Sequence, residues 1–174
     1  MLKDNGSHGQ SPTPAYALLN VAGADQSRAW GAVARQLARA HPQASAAPFA
    51  SRSYALPMAL VAWHSAPVGV DIERISPCER SFAQSICTPE ELDLFRSVLH
   101  DSAFVTSLWS SKEALAKALG DAVAYDPRRL ASPLCWESGA CGSWAATQLP
   151  PPRGHVAWLV WSLTERPDRA GWVN

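Results

Sequence analysis

The chain has 174 residues, 47% of them hydrophobic, with 15 basic and 15 acidic side chains and a pI near 7.0. That length gives one ordinary domain with a core to bury, and the balanced charge supplies no global field to draw it to nucleic acid or a membrane surface. No apolar run approaches a membrane span and the first residues lack a basic-then-apolar signal layout, so the expectation is a cytoplasmic protein.

Residues 1–14 are rich in Gly, Ser, Pro and polar groups, bury little, and read as a disordered tail ahead of one domain over 15–174. Ala15 to Val21 reads as a first strand. Ser27 is placed to cap a helix reaching Ala40, with Trp30, Val33 and Leu37 on one face. A loop rich in Ala, Pro and Ser follows from His41 to Ser51. Ala59–Trp63 and Val68–Ile75 are two short apolar runs around His64-Ser65-Ala66-Pro67, a pattern that predicts a hairpin with His64 exposed in its turn. Thr88-Pro89-Glu90-Glu91 carries a cap, a first-position proline and a capping-box glutamate, and Leu92 to Leu99 continue that helix. Phe104, Leu108, Leu115 and Leu119 form the buried stripe of the next helix, which Gly120 ends. Beyond Pro133, Trp144–Leu149 and His155–Leu163 read as strands about a Pro150–Gly154 turn. The sum is an α+β fold with helices packed on antiparallel strands and no internal repeat. Cys78, Cys87, Cys135 and Cys141 lack Cys-x-x-Cys pairing and read as reduced thiols.

Chemistry concentrates in two segments. In Gly69-Val70-Asp71-Ile72-Glu73 two carboxylates alternate along a strand and point to one side. In Trp109-Ser110-Ser111-Lys112-Glu113-Ala114-Leu115-Ala116-Lys117 a helix sets Glu113 and Lys117 one turn apart, with Trp109 a turn further back. Three acids and a lysine from two elements are a candidate divalent-cation and phosphate site. The plain rivals are a solvated strand face, an exposed i,i+4 salt pair worth about 0.3–0.5 kcal/mol, and a tryptophan that only anchors the core.

In this order and separation the two segments resemble the signature of the 4′-phosphopantetheinyl transferase superfamily, Gly-x-Asp-x-Glu followed by Trp-x-x-Lys-Glu-x-x-x-Lys. The resemblance runs from about Phe49 to Leu134. It implies the α+β transferase fold, here a trimmed pseudo-dimer of two similar halves (15–66 and 67–174), because Asp71 lies too far into the chain for the small trimeric members. It implies a monomer that moves the phosphopantetheine arm of coenzyme A onto a serine of an apo acyl or peptidyl carrier protein. The carrier would belong to a fatty-acid-like or secondary-metabolite pathway, with neither nucleic acid nor membrane as partner. Asp71, Glu73 and Glu113 would hold Mg2+ (or Mn2+). Glu113 would accept the serine proton, Lys117 would meet a pyrophosphate oxygen, and Lys112 would do so or touch the coenzyme. Carriers present an acidic helix, so Arg80, Arg96, Arg128 and Arg129 are candidates for docking.

The chain also departs from the family. A Ser-x-Ser-His-Ser-like segment, whose histidine meets the 3′-phosphate of coenzyme A, stands here as Ser51-Arg52-Ser53-Tyr54. Tyr54 donates one hydrogen bond but carries no charge near neutral pH, which makes Arg52 the replacement phosphate partner with Ser53 and Tyr54 beside it. Pro42 to Pro48 holds no lysine where the family has a basic segment, and Gly120-Asp121-Ala122-Val123 stands where a Gly-x-Gly-Leu-like run is usual. The alternative these losses leave open is an impaired relative that binds a carrier protein or coenzyme A without transfer.

Overall fold

A computed structural model describes residues 12–22 and 29–164, the side chains of 29 and 30 excepted. The cap at Ser27, the side chain of Trp30 and residues 1–11 of the expected tail lie outside the described residues. The elements are β1 (Ala15–Asn20), α1 (Ala29–Ala40), β2 (Phe49–Ala55), β3 (Met58–His64), β4 (Val68–Arg74), α2 (Arg80–Ile86), α3 (Pro89–Leu94), α4 (Ser102–Leu119), β5 (Ala140–Cys141), β6 (Trp144–Gln148) and β7 (His155–Ser162). Short 3-10 turns join several of them.

Among the described residues all strand pairs are antiparallel and fall into two sheets. One orders its strands β1-β3-β2; the other orders them β4-β7-β6-β5. The fold is therefore α+β, as the patterning implies. Leu60 and Ala62 of β3 meet Val68, Val70, Ile72, Ala157, Leu159 and Trp161 between the sheets. On the far side of the second sheet, Ala114, Leu115 and Ala118 of α4 pack on Trp144, Ala146, Trp158 and Val160. Helix α1 covers the outer face of the first sheet through Ala34, against Val21 and Ala59, while Leu37 stays 42% exposed. The layers run α1, first sheet, second sheet, α4. A strand covered on both faces reads as a continuous apolar run, and β4 is buried from Val68 to Ile72 with Asp71 inside it.

The predicted hairpin is corrected. Ala59–Trp63 and Val68–Ile75 are neighbours in sequence but belong to different sheets. The hairpin is instead β2–β3, with Ala55 opposite Met58 around a cis Leu56-Pro57 bond. The last three residues of the expected loop from His41 to Ser51 are thus the start of strand β2. His64, expected in an exposed turn, is only 5% exposed and closes β3 opposite Phe49. Apolar content hid β2: Ser51, Arg52 and Ser53 are polar because the strand borders the site described below.

Helix α3 begins as expected. Thr88 Oγ1 accepts from the Glu91 amide at 3.2 Å, Glu91 Oε2 accepts from the Thr88 amide at 2.8 Å, and Pro89 opens the first turn. It ends at Leu94 rather than Leu99, the chain continuing as turns to His100. Helix α4 is capped by Asp101 and stopped by Gly120 at φ 81°, the left-handed conformation a glycine adopts without a Cβ clash. All four cysteines are free thiols. No described helix is long and apolar enough to cross a membrane.

Candidate functional site

Strand β4 alternates. Val68, Val70 and Ile72 face the core between the sheets, and Gly69, Asp71 and Glu73 face α4. Gly69 sets how close the helix comes: a Cβ there would stand 1.9 Å from the Ala114 carbonyl oxygen and 2.6 Å from the Ala118 nitrogen. Only a residue without a side chain permits that contact. The glycine thereby brings the carboxylates of β4 within reach of Trp109, Glu113 and Lys117 on the helix.

Asp71 is 2% exposed. Its Oδ1 accepts from Lys117 Nζ at 2.7 Å and from Ser53 Oγ at 2.7 Å, while its buried Oδ2 has no hydrogen-bond partner among the described residues. Glu73 accepts from Trp109 Nε1 at 3.3 Å, so Trp109 holds a site carboxylate as well as packing in the helical core, its ring edge-on to Phe82. Burial, then the Asp71 charge, pushes the Glu73 carboxyl up to about 7, against the pull of Trp109 and Lys117, with Glu113 adding to the rise. Glu113 accepts from the Tyr125 hydroxyl at 2.8 Å. Burial raises its pKa above the usual carboxylate value, while Tyr125 and Lys117 oppose the rise. The same burial, with the hydrogen bond to Glu113, raises the Tyr125 phenol well above its ordinary value. The three carboxylates thus share one region and one cation, Lys117.

Among the described residues no group of three His, Cys, Asp or Glu side chains is arranged to hold a metal ion. Of the three carboxylates, Asp71 bonds Lys117 and Ser53, Glu73 bonds Trp109, and Glu113 bonds Tyr125. Their chemistry does suit a hard divalent cation: every donor is a carboxylate oxygen, and Asp71 Oδ2 is an orphaned buried acceptor.

Lys117 also borders a cavity of about 510 Å3 between α1, the outer face of the first sheet and the end of α4. Arg35 and Arg39 of α1, Arg52 and Ser51 of β2, and Trp63 of β3 line it. Trp63 is stacked on His41, ring centroids 4.4 Å apart. Arg52, the expected replacement phosphate partner, thus lines this cavity with the two arginines of α1.

The other three expected cofactor residues stand in different surroundings. Lys112 is fully buried and donates to Ile86 O at 2.6 Å, Glu91 Oε2 at 2.5 Å and Pro127 O at 2.8 Å. An ammonium has three protons, and these bonds take all of them. Lys112 ties α4 to the end of α2, the start of α3 and the 127 turn. Ser53 is 7% exposed and gives its hydroxyl to Asp71. Tyr54 points to the opposite face of β2 and packs against the Val21, Ala34 and Ala59 cluster under α1. Of the docking candidates, Arg96 pairs with Asp93 and Arg128 with Asp126, both at the surface, while Arg80 and Arg96 border a small cavity of about 240 Å3 with His100.

Tyr125, Arg35, Arg39 and Trp63 were not singled out from sequence. The two arginines stand four apart on α1, a spacing that signals one helical face. Tyr125 carries no motif; its place follows from the reversal after Gly120.

Residues 67–152, which run from the start of β4 past both motifs, match the family model for the 4′-phosphopantetheinyl transferase superfamily. Over 63 residues the chain is 33% identical to a holo-[acyl-carrier-protein] synthase from Streptococcus uberis and 36% identical to ones from Streptococcus pyogenes. Each alignment covers 32% of this chain and 53% of the relative, so the chain spans about half the length of the curated relatives it matches. The chain belongs to the 4′-phosphopantetheinyl transferase superfamily.

Proposed function

We propose that this protein transfers the 4′-phosphopantetheine arm of coenzyme A to a serine of an apo acyl or peptidyl carrier protein, releasing 3′,5′-adenosine bisphosphate. One observation carries the reading. Lys117 bonds to Asp71 in the carboxylate cluster and also borders the arginine-lined cavity, so one cation joins a cation-seeking end to an anion-seeking end. A molecule with a pyrophosphate in its middle and a phosphate at its end matches that division.

Asp71, Glu73 and Glu113 would hold Mg2+ or Mn2+, which when bound supplies a Lewis acid that neutralises charge on the phosphoryl oxygens. The protein's own groups do the rest. Arg35, Arg39 and Arg52 meet the terminal phosphate, and Lys117 contacts a pyrophosphate oxygen as negative charge grows there. The carrier serine oxygen attacks the β-phosphorus. As that P–O bond forms, the bond to the bisphosphate leaving group breaks, and the serine proton passes to Glu113 or to a water it orients. The burial that raises the Glu113 pKa makes it a better proton acceptor than a solvated glutamate. The two sheets would be the cores of two related halves, with the coenzyme in the arginine-lined cavity beside α1 and the end of α4.

A second reading, an impaired relative that binds coenzyme A or a carrier without transfer, is favoured by one fact: among the described residues no acidic trio stands at metal-binding geometry. Chromatographic detection of 3′,5′-adenosine bisphosphate separates the two. Transfer requires its release from coenzyme A only when Mg2+ and an apo carrier are both present. Coenzyme A binding with no bisphosphate, while a control transferase succeeds on the same carriers, selects the impaired relative.

A further inference from the structure

The turn that follows α4 has a purpose visible in its hydrogen bonds. The Gly120 and Asp121 amides close back on the carbonyls of Lys117 and Ala116. The amides of Ala124 and Tyr125 then both bond to the Asp121 carbonyl, so the chain reverses and returns beside the helix it has left. Tyr125 arrives half-buried against the core between α4 and the second sheet, and its hydroxyl donates to Glu113 Oε1 at 2.8 Å.

A glutamate on a helix with a lysine four residues on ordinarily pairs with it. Here Lys117 bonds Asp71 instead, and Glu113 bonds Tyr125. Each oxygen of Glu113 then has a different situation. Oε1 accepts the hydrogen bond from the phenol, and Oε2 is left to accept from something else. A free glutamate, with three side-chain torsions, would lose that distinction and close on Lys117, removing both groups from their tasks at once.

We propose that Tyr125 is a positioning residue, holding Glu113 by Oε1 so that Oε2 is presented to the divalent cation and the carrier serine while Lys117 stays on Asp71. The inference rests on the transferase reading of Asp71, Glu73, Glu113 and Lys117. Outer partners of metal-ligating carboxylates set both the orientation and the affinity of the site.

The test is Mn2+ titration of the full chain, read by electron paramagnetic resonance of the free ion, alongside steady-state transfer kinetics. Tyr125→Phe is expected to weaken Mn2+ by about 10–100-fold, the range for loss of an outer-shell partner, and to lower kcat while KM for coenzyme A stays unchanged. Its thermal midpoint should stay close to that of the unaltered chain, because the ring remains. Tyr125→His, a smaller ring with an N–H donor, should restore part of the Mn2+ affinity. In a Glu113→Gln background Tyr125→Phe should have no further effect. Mn2+ affinity and kcat indistinguishable from the unaltered chain in Tyr125→Phe would overturn the proposal. Equal loss of stability and affinity in both variants would overturn it too, since the role would then be structural, as would failure of the unaltered chain to bind Mn2+. If that chain binds Mn2+ but modifies no carrier, the transferase reading falls, and the Phe and His comparison still decides whether Tyr125 positions Glu113.

Discussion

Replacing Lys112 by methionine separates a structural lysine from a coenzyme contact. The side chain keeps its unbranched stem, one atom shorter, and loses its charge and three donor protons. Three acceptors then lose their partner: the carbonyls of Ile86 and Pro127 and Oε2 of Glu91. Glu91 is 2% exposed and keeps its bonds from the Thr88 and Ser132 amides, so its charge stays buried without a counter-charge. Removing one member of a buried ion pair costs about 3–5 kcal/mol, and each orphaned carbonyl about 1–3 kcal/mol when water cannot reach it. These terms overlap, so the expected loss is about 3–5 kcal/mol, a large share of the 5–15 kcal/mol typical of a domain. Guanidinium unfolding followed by tryptophan fluorescence reads it directly, given the eight tryptophans. Lys112→Met/Glu91→Gln should recover part of the loss, because the stranded charge is gone while one capping oxygen remains. A loss under about 1 kcal/mol, the scale of a surface pair, with weakened coenzyme A binding would refute the reasoning and return Lys112 to the cofactor site.

Further outcomes follow from the same geometry. Gly69→Ala pushes a methyl into the Ala114 carbonyl, and overpacking of this kind costs about 1–3 kcal/mol; transfer should fall more steeply than stability, because α4 carries Glu113 and Lys117 away from β4. His64 is buried and its pKa lies below the usual value, chiefly through desolvation against a backbone hydrogen bond with Ser162. The unfolded imidazole therefore protonates first. Its contribution to stability is complete above about pH 6.5, the unfolded value, and is lost as pH falls through that value towards the lower folded one. Unfolding midpoints across pH 5–8 should show a shallower acid limb in His64→Gln, and identical limbs would contradict the assignment. Arg52→Ala should weaken coenzyme A about tenfold by calorimetry, the value of one charged hydrogen bond, whereas Tyr54→His should leave it unchanged, since Tyr54 packs under α1. Burial pushes the Cys87 thiol up to about 11, so iodoacetamide at pH 8 should label Cys78 and Cys141 well before Cys87.

The elements that sequence reasoning found are those with a strong local cause. The Thr88–Glu91 capping box, the Gly120 stop and the β6–β7 turn are short-range chemistry, and each stands where its residues put it. Partnership between strands is not local. Nothing in β3 or β4 says that one pairs with β1 and β2 and the other with β7, and proximity in sequence suggested the wrong hairpin. In the site, the period-2 and i,i+4 spacings did bring Asp71, Glu73, Glu113 and Lys117 to one region. Lys112 shows where motif reasoning stops: a lysine beside Glu113 in sequence lies on another face of the helix, and its burial depends on Glu91 and Pro127, which no spacing relates to it. Ser53 and Tyr54 likewise take opposite sides of β2 because a strand alternates, a consequence hidden while the segment read as loop.

The central claim is tested most directly by weighing apo carrier proteins after incubation with this chain, coenzyme A and Mg2+, using intact mass spectrometry and Glu113→Gln in parallel. The account predicts a gain of one phosphopantetheine arm on the carrier serine with the unaltered chain and none with Glu113→Gln, although both are folded and both bind coenzyme A. An equal gain with Glu113→Gln would remove Glu113 from the chemistry. No gain on any carrier, with a control transferase modifying the same panel, would contradict the transferase reading itself.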